Sequence, residues 1–265
     1  MQIVTFFSPC RAVGKTTAVA AVAAAFVENG ERIGVIEFGE PSEKGFAFNQ
    51  TQLSDWETAM HRVVGECHVR VDYVTDFETL IRALCFCEFS DVDFILIDAP
   101  QEYGLLTREV LDRADLVIMP FCNPRAATRN SQWIEQNASI AAKTVGLITC
   151  TTRNEAVAIS AHTQFEGAPI LSNELPFSSV LERQFKEGSL FYLDLHGSRH
   201  DKEIVQSAFV AVEAADACLA ATAIADEIRT FIRTFKFDPA GTRQGSPSRS
   251  DAIFGPWVVE SVPET

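Results

Sequence analysis

Hydrophobic and polar positions follow two rhythms along the chain. Short apolar, β-branched runs at Gln2–Phe7, Arg32–Glu37, Val69–Val74, Asp93–Asp98, Leu116–Pro120, Val145–Thr151 and Ile170–Leu175 read as strands. Between them, Thr16–Asn29, Leu53–Val64, Phe77–Phe86, Leu105–Arg113, Arg125–Ala142 and Ser178–Glu187 carry helical patterns. The strand runs are apolar almost without interruption, which implies burial on both faces, as in a parallel sheet covered on both sides. Strand and helix alternation leads to the same place. The pattern predicts an α/β fold, a doubly wound, mostly parallel sheet flanked by helices.

A long helical stretch from about Lys202 to Phe235 closes this pattern, with Ile224, Ile228, Phe231, Ile232 and Phe235 on one stripe. The stripe predicts a helix packed on the sheet. A dimer face or membrane-surface helix, helped by Arg229, Arg233 and Lys236, is the sharper alternative. After Phe237 the composition changes: Asp238 to Ser250 is rich in Pro, Gly and Ser, and an apolar peptide, Ala252–Val259, follows. Residues 1–237 thus read as one domain and 238–265 as a flexible tail.

The net charge of −14 lowers the expectation of broad DNA binding, since proteins that coat DNA usually present a basic face. Seven cysteines at scattered positions, with Cys85 and Cys87 the only close pair, read as reduced buried thiols rather than a zinc site. Met1-Gln2-Ile3-Val4 lacks the positive region of a signal peptide. The longest apolar run, Ala18–Val27, is about half of the ~20 residues a membrane span needs. A cytoplasmic protein without a transmembrane segment is expected.

The chemistry concentrates in Ser8-Pro9-Cys10-Arg11-Ala12-Val13-Gly14-Lys15-Thr16-Thr17, which follows the first strand and opens the first helix. That is the setting a Walker A loop requires. Backbone N–H groups and the positive end of the helix attract phosphate. Lys15 supplies a charge at the β/γ oxygens, and the Thr16 hydroxyl ligates Mg²⁺. Ala12, Val13, Gly14, Lys15, Thr16 and Thr17 are therefore the expected phosphate-binding residues, although Pro9 stands where the general pattern has its first glycine. Asp98, at the tip of a buried apolar strand, is placed to hold the metal through water, the Walker B role. ATP and Mg²⁺ are the expected cofactors.

These pieces resemble the ParA/MinD family of deviant Walker A ATPases, and within it the VirC type, the ParA-like proteins of conjugative T-DNA transfer. The resemblance is carried by Met1–Ser8, Gly14-Lys15-Thr16-Thr17, the Ala-rich first helix, Glu31–Glu37, Ile97-Asp98-Ala99-Pro100, Leu175-Pro176-Phe177 and Phe185-Lys186-Glu187-Gly188. It spans residues 1 to about 235. The family signature is KGGxGK[ST], whose first lysine reaches the partner's phosphates across an ATP-bridged dimer. Here that position is Cys10, and Arg11 and Ala12 replace the two glycines. Arg11 is the candidate substitute charge, its planar fork being suited to phosphate. A positive φ at Arg11 would cost ~1–2 kcal/mol, which implies a loop of different shape.

In the family the second strand ends in Asp-x-Asp, the later Asp positioning the attacking water. The corresponding residues here are Glu37, Phe38 and Gly39, with Glu40 next as the candidate replacement. The resemblance also points to Arg153, Asn154 and Pro176 near the adenine. Losing one transition-state contact costs ~10²–10³ in rate, and losing an arginine finger ~10³–10⁵, so slow hydrolysis is expected. The resemblance implies an ATP-dependent switch in plasmid partition, conjugative DNA transfer or cargo positioning. A nucleotide-dependent homodimer, a protein partner, and DNA held through Arg229, Arg233, Lys236, Arg243 and Arg249 belong to the same expectation. A pseudo-ATPase scaffold, or an ATP-dependent ligase of the CobQ or dethiobiotin-synthetase sort, are the alternatives. The five histidines form no obvious constellation for the latter.

Overall fold

A computed structural model describes residues 1–39, 52–64, 68–151, 155–191 and 204–236. Glu40, Arg153, Asn154 and everything from residue 237 onward lie outside the described residues. Seven strands form one sheet: β1 (Gln2–Phe6), β2 (Ile33–Phe38), β3 (Val69–Val74), β4 (Phe94–Asp98), β5 (Leu116–Phe121), β6 (Thr144–Thr151) and β7 (Leu175–Pro176). Their order is β3-β2-β4-β1-β5-β6-β7, and every pairing is parallel. The chain leaves β1, crosses to β2, and later returns β4 between them. This interleaving puts a crevice at the carboxyl ends of β1 and β4, the usual ligand position in open α/β sheets.

The strands are apolar on both sides because both sides are covered. Val4, Phe6, Leu96, Ile118 and Leu147 face one core with α1 (Lys15–Glu28), α2 (Gln52–Val64), α8 (Ser179–Glu187) and the closing helix α9 (Ile204–Lys236). Phe7, Ile95, Ile97, Val117 and Met119 face the other, with α3 (Phe77–Phe89), α4 (Leu105–Arg113), α5 (Pro124–Gln136), α6 (Ala138–Ala141) and α7 (Glu155–Gln164). Helix α1 is buried over the whole run Ala18–Phe26, which explains a sequence apolar all round rather than on one stripe.

The stripe on α9 resolves in favour of packing. Ile224, Ile228 and Ile232 are buried against α1 and the sheet, and Phe231 packs at the edge of the same core. Arg229 stacks its guanidinium 4.8 Å over the Phe26 ring and pairs with Glu31 and Asp226. The Glu31 hydrogen bond raises its pKa, so this cation is committed to the fold. Among the described residues no helix is long and apolar enough to cross a membrane.

Three elements depart from the sequence pattern. The helix expected over Arg125–Ala142 divides at Asn137, whose backbone is non-helical and whose amide donates to the Trp133 carbonyl at 2.8 Å. Such side-chain bonding competes with the helix ladder. The strand expected over Ile170–Leu175 is reduced to one bridge, Ile170 to Gly146, before β7 begins at Leu175. The N–H groups of Ser172 and Asn173 donate instead to the Glu227 carboxylate on α9. Helix α7 was not foreseen at all.

Candidate functional site

The turn from β1 into α1 is anchored at three places. At its base the buried Ser8 hydroxyl donates to Asn130 Oδ1 at 3.0 Å and accepts the Cys10 N–H, while Asn130 Nδ2 donates to the Pro120 carbonyl. Asn130 reaches the loop because Asn123 caps α5, accepting from Ala126 N at 2.9 Å, with Pro124 at the first helical position. On the outer side Gln101 donates to the Pro9 carbonyl at 3.1 Å. At the far end the buried Thr149 hydroxyl on β6 donates to the Val13 carbonyl.

These anchors leave the loop's polar groups unequally used. The carbonyls of Pro9, Ala12, Val13 and Gly14 each face a donor: Gln101, the Cys122 thiol, Thr149 and the Ala18 N–H. Among the described residues the N–H groups of Arg11 through Thr17 meet no protein acceptor. A run of unused amides at the positive end of a 14-residue helix is an anion site in waiting. Its shape needs two left-handed residues, Ala12 at φ 55° and Gly14 at φ 72°. Gly14 adopts this at little cost, whereas Ala12 bears a strain of ~1 kcal/mol. The strain foreseen at Arg11 thus falls one residue later.

Asp98 closes the site. It ends β4 directly beside Phe6 of β1 and Glu37 of β2, and it is 6% exposed. Its Oδ1 lies 2.9 Å from Lys15 Nζ and takes no hydrogen bond besides that ion pair. Its Oδ2 accepts from the Thr16 hydroxyl at 2.7 Å. Lys15 also donates to the Ala99 carbonyl. A hydroxyl and a buried carboxylate 2.7 Å apart are hard oxygen donors that suit Mg²⁺, which takes its remaining ligands from water and phosphate. Among the described residues no cluster of three His, Cys, Asp or Glu could cage a metal without them.

The other expected residues fall apart from this centre. Arg11 is exposed, and its Nε donates to Gln101 at 2.7 Å, which ties it to the loop after β4 rather than to Asp98. Pro176 sits on β7, three strands from β1. Sequence reasoning missed Ser8, Asn130, Gln101 and Thr149 as supports of the loop. Glu37, matched to the family's first Asp but given no role, is buried in register with Asp98. An acidic residue ending an apolar strand beside the Walker loop was the available signal. Among the described residues Cys10, Cys85, Cys87, Cys122 and Cys218 are free thiols, but only Cys87 and Cys218 are buried; the other three are half-buried, short of the burial expected. Burial pushes Cys122 up, an effect the Asn123 amide partly offsets.

No protein-family model and no curated protein sequence matches the chain. Solved structures do. A chain of the MinC:MinD cell division protein complex of Aquifex aeolicus matches at TM-score 0.60 and 14% identity, covering 87% of this chain and 96% of that one. MinD with Mg-ADP from Pyrococcus horikoshii gives 0.57 and 16%, covering 88% and 98%. The pNOB8 ParA bound to nonspecific DNA gives 0.51 and 16%, covering 88% and 99%. The chain has the fold of the MinD and ParA P-loop ATPases.

Proposed function

We propose that this chain is an ATP- and magnesium-binding switch of the ParA/MinD type, which holds its nucleotide longer than it turns it over. One observation carries the reading: the carbonyls of Pro9, Ala12, Val13 and Gly14 face protein donors while the N–H groups of Arg11 to Thr17 meet no acceptor among the described residues, beside Lys15, Thr16 and Asp98. In this reading the amides of Ala12 to Thr17 cradle the phosphates. Lys15 leaves Ala99 for a β/γ oxygen, and Thr16 and Asp98 hold the magnesium, which when bound offsets the phosphates' charge. The resemblance assigns Pro176, with Arg153 and Asn154, to the base.

Slow turnover follows from the groups at the terminal phosphate. Gly39 offers no side chain for a water, which leaves Glu40 as the candidate acid. Arg11, the candidate substitute cation, is exposed and held through its Nε by Gln101, which draws it toward the loop after β4. The same Arg11–Gln101 bond joins the cradle to the loop after β4, the natural route from nucleotide to partner. Relatives of the same fold that bind MinC or DNA support a protein partner, a second copy or DNA as the listener. The resemblance to VirC-type proteins favours conjugative DNA transfer, with plasmid partition or cargo positioning as sister roles.

Light scattering of the full chain with Mg-ATP, with Mg-ADP and without nucleotide, alongside phosphate release, tests this. The expected result is a larger species with Mg-ATP and very slow release. The same mass in all three states would contradict the switch, and would leave the scaffold reading that Gly39 favours.

A further inference from the structure

Four side chains share one register row at the carboxyl edge of the sheet: Phe6 on β1, Asp98 on β4, Glu37 on β2 and Tyr73 on β3. In a parallel sheet such residues stand on one face, and here it is the face that carries α1. Val4, Leu96 and Val35, two positions earlier, belong to the α1 core. Lys15 and Thr16 enter the row at Asp98. Gly39 lies two residues beyond Glu37 and extends the β2–β3 edge by donating its N–H to the Val74 carbonyl at 3.1 Å.

A Cβ on residue 39 would meet the Tyr73 hydroxyl oxygen at 1.5 Å and its ring Cζ at 2.0 Å. The phenol therefore leans off its own strand and over β2, and its oxygen fills the place where a side chain at 39 would begin. Strands are spaced by about 4.8 Å and rise about 3.3 Å per residue, so the hydroxyl stands one strand over and two residues beyond Asp98, roughly 8 Å from it. Lys15 bonds both Asp98 and, one residue further on, the Ala99 carbonyl. A phosphoryl group with a donor on each of two opposite sides spans about 6 Å between them.

We infer that Tyr73 is a specificity-determining residue for the triphosphate: its hydroxyl donates to the terminal phosphoryl group from the side opposite Lys15. The inference rests on the cradle reading above. A phenol is a donor near neutral pH, so it holds a phosphate oxygen and takes no proton from water. A diphosphate is held by the loop amides and Lys15 and does not reach it. Tyr73 thus separates ATP from ADP.

Calorimetric titration of the full chain with Mg-ADP and with a magnesium-bound non-hydrolysable ATP analogue tests this. Tyr73→Phe should weaken the analogue about tenfold or more, the worth of a hydrogen bond to a charged group, and leave Mg-ADP within about twofold. Gly39→Ala should act alike, because the new methyl displaces the hydroxyl while the backbone there tolerates alanine. Equal effects on both ligands, or none on either, would overturn the inference, retained ADP binding being the proof of intact fold. A wild-type chain that binds neither ligand overturns the cradle itself, and this inference with it.

Discussion

Residue by residue, the site depends on where backbone and charge are forced into unusual states. Gly14 and Ala12 both adopt left-handed backbone, yet only glycine does so without a Cβ penalty. Gly14→Ala should cost about 1–2 kcal/mol in chemical denaturation. Ala12→Gly should leave stability unchanged or raise it by up to about 1 kcal/mol, the relieved strain being partly offset by the freer unfolded chain. The reverse order would contradict the loop geometry. Cys87 is packed under the sheet, and burial pushes its thiol up to about 12. Its unfolded counterpart ionises near 8.5, so the sign is fixed. The fold prefers the neutral thiol, and stability is whole below about pH 8.5 and falls as pH rises toward 12. Iodoacetamide at pH 8 should leave Cys87 unmodified until the chain is unfolded.

At the level of elements, the β5–α5 unit acts as the loop's foundation. Asn130 is fully buried and bonds both Ser8 and Pro120, so Asn130→Ala leaves two buried groups unpaired. A loss of about 2–4 kcal/mol and a weaker nucleotide site are expected in denaturation and binding curves; an unchanged midpoint would show that the network is not needed. This foundation was invisible in the sequence, because Ser8 and Asn130 are 122 positions apart and neither belongs to a motif. The strand and helix alternation was legible, since a sheet buried on both faces writes continuous apolar runs. So were Lys15, Thr16 and Asp98, which do converge. What was lost depended on long-range partners. Glu227 draws Ser172 and Asn173 out of the expected seventh strand, and Asn137 cuts a helix its neighbours would have continued. Arg11 read as a phosphate ligand by position, but Gln101, 90 residues on, takes its Nε.

For the whole molecule, charge sets what the surface can do. The chain carries −14, and Arg229, one of the cations suggested for DNA, is shared between Glu31 and Asp226. Arg233 remains exposed on α9. Duplex DNA binding measured by fluorescence anisotropy should therefore rest on one or two phosphate contacts. Such affinity weakens about tenfold or less between 50 and 200 mM salt, whereas a thousandfold loss would indicate a basic face beyond Arg229 and Arg233. Everything proposed for the assembled protein, from partner to DNA, depends on occupancy of the loop between β1 and α1. The most direct test is calorimetric titration of ATP into wild type and Lys15→Ala, each with and without magnesium. Magnesium-dependent binding in wild type, weakened on the order of 100-fold by the substitution, is the expected result. Binding that ignores both magnesium and Lys15, or no binding in wild type, would contradict it.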